Sequence, residues 1–142
     1  MSPIVLLNLG LLGLASTLAL WRGGLWERTV SGLLVAAFGV TALASFDYVS
    51  PPWTAIFVDC VVFLVLLYAC LRSRRRWIIF AAAFQFLVLA THYVFVNNDN
   101  LMQWAYVSAY YIWNISLIIS LCLGTILEGR QRLLSSDERR DQ

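Results

Sequence analysis

Residues 72–100 read RSRRRWIIFAAAFQFLVLATHYVFVNNDN. Arg72, Arg74, Arg75 and Arg76 precede an apolar run over 77–96, and Asn97, Asn98, Asp99 and Asn100 close it. Twenty residues at about 1.5 Å rise give roughly 30 Å of helix, the thickness of the hydrocarbon core of a bilayer. The run is apolar on every side, whereas a membrane-spanning strand alternates in polarity. A transmembrane helix, basic at one end and amide-rich at the other, is the reading that sets the fold.

Four more such runs lie on either side, over 4–21, 29–46, 54–71 and 103–127. The prediction is an all-α, polytopic bundle of five transmembrane helices over residues 1–127, with a polar tail over 128–142. Composition agrees. The 142-residue chain is 61% hydrophobic and 13% charged, against roughly 45–50% and about 25% in soluble domains. Mean hydropathy is +0.75. These values exclude an ordinary soluble enzyme and a disordered chain. With a net charge of +2, no basic stripe is available for phosphates, and no nucleic acid is expected as a partner.

Charge placement gives an orientation. Arg22 and Arg28 lie in the first loop, the four arginines of 72–76 in the third, and Arg130, Arg132, Arg139 and Arg140 in the tail. The second and fourth loops carry Asp47 and Asp99 and no basic residue. The positive-inside rule then places the N-terminus outside and the C-terminus in the cytoplasm. Met1-Ser2-Pro3 supplies no basic n-region, so the first helix is expected to be retained. Trp21, Trp26, Trp53, Trp77 and Trp104 sit at the predicted boundaries, where an amphipathic indole prefers to lie. In the tail, Ser135–Glu138 either starts a short helix or frays, and disorder is expected over the last eight or so residues.

Polar groups inside lipid are costly, so each needs a reason. Counting the rise from each helix end puts Asp59 about 7 Å, His92 about 6 Å and Tyr106 about 5 Å below the outer boundary, one shared level. Gln85 and Asn114 fall about 16 Å down, near the midplane. Ala81, Gln85, Val88 and His92 follow i, i+4, i+7, i+11 on one face of helix four, and Tyr110 and Asn114 are i, i+4 on helix five. Two readings stay open. In one, Asp59–His92 and Gln85–Asn114 are interhelical clasps. In the other, Asp59, His92, Tyr106, Gln85, Asn114 and Tyr110 form an outward-opening site for a small molecule, a quinone or lipid head, or a proton.

Gly32, Ala36 and Gly39 on helix two, with Gly10 and Gly13 on helix one, form small-residue faces against which another helix can pack closely. Arg72, Arg74, Arg75 and Arg76 suit anionic lipid head groups as well as setting topology. Cys60, Cys70 and Cys122 lie in apolar runs without a CxxC pair, so packing is their expected role. No metal and no cofactor is called for.

All ten basic residues are Arg, which hints at a high-GC bacterial genome. Arg76-Trp77, Phe84-Gln85 and Thr91-His92 resemble a pattern in uncharacterised small membrane proteins of alphaproteobacteria, over about one helix of five. That resemblance implies a multi-pass protein of the bacterial inner membrane and brings no activity with it.

No nucleophile with an activated base is visible. The first expectation is therefore a non-catalytic protein acting by helix–helix association, as an accessory subunit of an inner-membrane complex or as a homo-oligomer. The alternative is a binding protein or proton-linked carrier using the polar site between helices three, four and five. A holin-like membrane permeabiliser is the third.

Overall fold

The computed structural model describes residues 3–43, 52–73, 75–98 and 102–138, with side chains described over 6–43, 52–73, 75–98 and 102–130. Asp47, Arg74 and Asp99, on which parts of the charge argument fall, lie outside the described residues. Five helices are present: α1 Pro3–Arg22, α2 Leu25–Leu43, α3 Trp53–Ser73, α4 Arg76–Asn97 and α5 Gln103–Glu138. Consecutive helices pack side by side, α5 packs back on α1 to close a ring, and α2 also touches α5 across it.

Helices α3, α4 and the Gln103–Arg130 part of α5 are long and apolar enough to cross a membrane, and Leu6–Arg22 is a shorter apolar helix. The outer surface suits that setting. Leu14, Leu20, Phe57, Leu64, Phe80, Phe86, Ile119 and Leu123 are exposed around the bundle, far more apolar surface than a water-soluble monomer displays. Inside the ring, Leu12, Ala15, Val30, Val62, Leu66, Ile78, Ala81, Leu117 and Leu121 form one core.

Two boundaries differ from expectation. Helix α2 begins at Leu25 rather than near 29, so Glu27 and Arg28 are helical and not in a loop. The cause is the Gly23-Gly24 step. Gly23 donates its N–H to the Ala19 carbonyl at 2.9 Å, and a Cβ there would collide with that same oxygen. The Gly24 N–H donates to Glu27 Oε2 at 2.8 Å. That bond is the return half of a capping box, with Glu27 at the third helical position. At the other end of the chain, α5 continues as helix to Glu138, well past 127. Its 36 residues span about 54 Å. Ser135–Glu138 is thus helical, not frayed.

Trp77 lies in the first turn of α4, at the boundary as expected, but faces inward. Its indole is buried because Gly124 leaves room for it: a Cβ on Gly124 would run into the indole at Cγ. Ser120 Oγ donates to the Trp77 carbonyl at 2.9 Å, fixing the same α4–α5 seam. Gly124→Ala is expected to cost about 1–3 kcal/mol by overpacking, read as a lower unfolding midpoint in detergent. Gly32→Ala meets open space and should hold or raise the midpoint.

The small-residue faces point away from the ring. Gly10, Gly13, Gly32 and Ala36 are exposed and Gly39 is half-buried. A Cβ added at any of the four glycines meets nothing within 4 Å. Among the described residues they seat no neighbouring helix.

Candidate functional site

Asp59, one and a half turns into α3, is the hub of the buried polar groups. Its Oδ2 lies 2.8 Å from His92 Nε2. Its Oδ1 accepts from Gln85 Nε2 at 2.9 Å, and the same amide nitrogen reaches the Asp59 carbonyl at 3.2 Å. His92 Nδ1 is 3.0 Å from the Tyr106 hydroxyl. Asp59, Gln85 and His92 are all buried, and Tyr106 is half-buried.

Donor and acceptor roles follow from the carboxylate. If Asp59 is ionised it only accepts, and a neutral His92 then carries its proton on Nε2 and donates it to Asp59. Nδ1 is then an acceptor, and Tyr106 donates its O–H to it. The result is one directed chain, Tyr106 to His92 to Asp59, with Gln85 donating from the far side. It crosses α5, α4 and α3.

The two levels counted from the sequence therefore merge. Gln85 and His92 are seven residues apart on the buried face of α4, and Asp59 sits between them and bonds both. Asn114 does not clasp Gln85. Its Nδ2 donates to the Tyr110 carbonyl one turn earlier on α5, at 2.9 Å. A long amide on α4 reaches a carboxylate that accepts two bonds more readily than a neutral amide facing it.

Aromatic rings wall this region. The Tyr110 ring lies 5.4 Å from His92 and 5.9 Å from Tyr111, edge to face. Phe95 stacks on Tyr106 at 4.1 Å. Below them is a cavity of about 360 Å³ to which all five helices contribute. Asn8, Thr41, Asp59, Gln85, Tyr110, Tyr111 and Asn114 give it polar walls, and Leu12, Leu34, Phe38, Val62, Leu117 and Ile118 give it apolar ones. Its volume falls in the range of small-molecule sites, about 300–1,000 Å³. His92 and Tyr106 do not line it; they stand behind Asp59. Among the described residues, no group of three or more His, Cys, Asp or Glu is placed to hold a metal ion.

A second polar cluster at the opposite end of the bundle was not anticipated. Glu27 is fully buried, and Arg75 pairs with it. The same guanidinium is 2.5 Å from Glu128, so one cation ties α2 and α5 to the start of α4. The available signal was the Gly24-x-x-Glu27 spacing of a helix start, which brings the glutamate into the helix. Of the arginines considered for lipid head groups, Arg72 and Arg76 are exposed, whereas Arg75 is turned onto the two glutamates.

Comparison with protein-family models, with curated proteins and with solved structures finds no match to this chain.

Proposed function

We propose that the chain crosses the bacterial inner membrane five times, N-terminus outside and C-terminus cytoplasmic, and binds a small amphipathic molecule in its central cavity with protonation of the Asp59–His92 pair linked to binding. One observation carries this reading: Asp59 both lines the cavity and accepts from His92 and Gln85. A charge is costly within lipid, and a packing clasp needs no cavity beside it. The clustering of the arginines at the end of the bundle where α1 meets α2, α3 meets α4 and α5 leaves the core supports the orientation. The Arg-only basic composition supports the bacterial setting.

The proton linkage follows from the chain of bonds. With His92 neutral, the pair holds one negative charge next to the ligand. One added proton makes it neutral, and Tyr106, the half-buried member, is the route by which that proton arrives or leaves. The test is a panel of small amphipathic probes screened by thermal unfolding in detergent. A ligand at a hundredfold excess over its Kd adds about 2.7 kcal/mol to the folded state. Ala37→Phe, which fills the cavity from α2, should abolish the shift. Equal shifts in wild type and Ala37→Phe would show that the probes bind elsewhere.

A second reading rests on a separate observation, the open space over Gly10, Gly13, Gly32 and Gly39. Small residues facing outward on α1 and α2 suit a helix of another subunit or of a second copy, as in an accessory subunit or homo-oligomer. Gentle extraction should then yield an assembly well above 16.1 kDa. A clean, functional monomer would sink this reading without touching the cavity.

A further inference from the structure

We infer that the cavity takes a lipophilic organic monocation of the ammonium class, exchanged for one proton on the Asp59–His92 pair; this rests on the cavity reading above. Charge is the first ground. Among the described lining residues Asp59 is the one with a formal charge, and no Arg or His joins it. A low-dielectric chamber with a single carboxylate favours a cation and repels an anion.

The second ground is the wall chemistry. Phe38, Tyr110 and Tyr111 line the cavity, and aromatic faces attract a cation once it has left water. The donors nearest the carboxylate are already committed to it. Gln85 Nε2 bonds both the Asp59 carboxylate and its backbone carbonyl, and His92 Nε2 faces Asp59. Around Asp59 the cavity therefore offers negative charge and ring faces, which suit a cation.

The third ground is electroneutrality. With one fewer proton the Asp59–His92 pair carries one negative charge; with one more it is neutral. A bound monocation balances the first state and a proton produces the second, so the two compete. The proton belongs to the pair rather than to one residue, and it leaves to solvent past the Tyr106 hydroxyl. The other groups facing the pair are Tyr106 and Tyr110 on α5, while α1 and α2 bring only the neutral Asn8 and Thr41 to the cavity as polar groups. Glu27, Arg75 and Glu128 lie at the opposite end.

The experiment is calorimetric titration of the full chain in detergent with phenyltrimethylammonium, its neutral isostere tert-butylbenzene, and benzenesulfonate, from about pH 5.5 to about pH 8.5. The cation should bind roughly tenfold or more tightly than either comparator. Its affinity should rise about tenfold per pH unit until the pair has lost its proton, then level off. In the rising range, buffers of different ionisation enthalpy should show release of about one proton per cation. Asp59→Asn should abolish cation binding; should that variant not fold, the cation-to-isostere ratio and the pH slope of the wild type decide alone. Equal binding of isostere or sulfonate, or a flat pH profile, overturns the cation–proton exchange and leaves the cavity reading in place. No saturable binding by any of the three, together with a silent thermal panel, overturns both.

Discussion

Asp59→Ala is expected to destabilise the bundle by about 2–4 kcal/mol, whereas Asp59→Asn should stay within about 1 kcal/mol of wild type. Alanine strands two buried N–H groups, one of the pair on Gln85 Nε2 and that on His92 Nε2, at about 1–2 kcal/mol each. The lower bound reflects the membrane setting, where unfolded helices also find partners. Asparagine keeps the chain of bonds by reversing part of it. Gln85 cannot turn its amide, because its nitrogen also bonds the backbone carbonyl of residue 59. The side-chain oxygen of the substituted asparagine must then face Gln85, and its NH₂ must face His92 Nε2. His92 shifts its proton to Nδ1 and donates to the Tyr106 oxygen. The fold survives, and the negative charge in the cavity is gone. Unfolding midpoints of the two variants, measured beside ligand binding, separate the structural role of Asp59 from its functional one.

Arg75→Met is the second large effect, at about 3 kcal/mol or more. It removes the guanidinium shared by Glu27, which is fully buried, and Glu128. Losing one partner of a buried ion pair typically costs about 3–5 kcal/mol, while replacing both is often close to neutral. Arg75→Met combined with Glu27→Gln should therefore recover more than half of the loss. Glu128 weighs less because its side chain is about one-fifth exposed. The readout is a double-mutant cycle on the unfolding midpoint in detergent; a double variant no better than Arg75→Met would mean that the loss does not arise from the buried charge on Glu27.

The five helices were legible because each is an apolar run that ends in polar residues. The Asp59–His92–Tyr106 neighbourhood was legible because helical rise fixes depth, and those three residues count to similar depths from their own helix ends. Rise alone does not fix how each helix is rotated, nor how far a long side chain reaches along it. Gln85 was therefore matched to Asn114 by depth, when its amide reaches Asp59. Glu27 was hidden by its charge: beside a membrane run, a glutamate reads as loop, and only the glycine pair before it marks an earlier helix start. Trp77 is a boundary residue, but its burial was hidden because its cradle, Gly124, lies 47 positions away. The spacing of the glycines of α1 and α2 marks small faces, but it does not say whether such a face looks into the bundle or out of it.

Both the stability and the binding predictions depend on the directed chain from Tyr106 through His92 to an ionised Asp59. The protein contains a single histidine, so ¹⁵N-histidine labelling reports on His92 alone. Nuclear magnetic resonance of the labelled protein above the pH where the pair loses its proton should show the Nε2–H tautomer, with Nδ1 an unprotonated acceptor. In Asp59→Asn the tautomer should invert to Nδ1–H. A wild-type ring protonated on Nδ1, or a tautomer that Asp59→Asn leaves unchanged, would mean that the chain does not run from Tyr106 to Asp59.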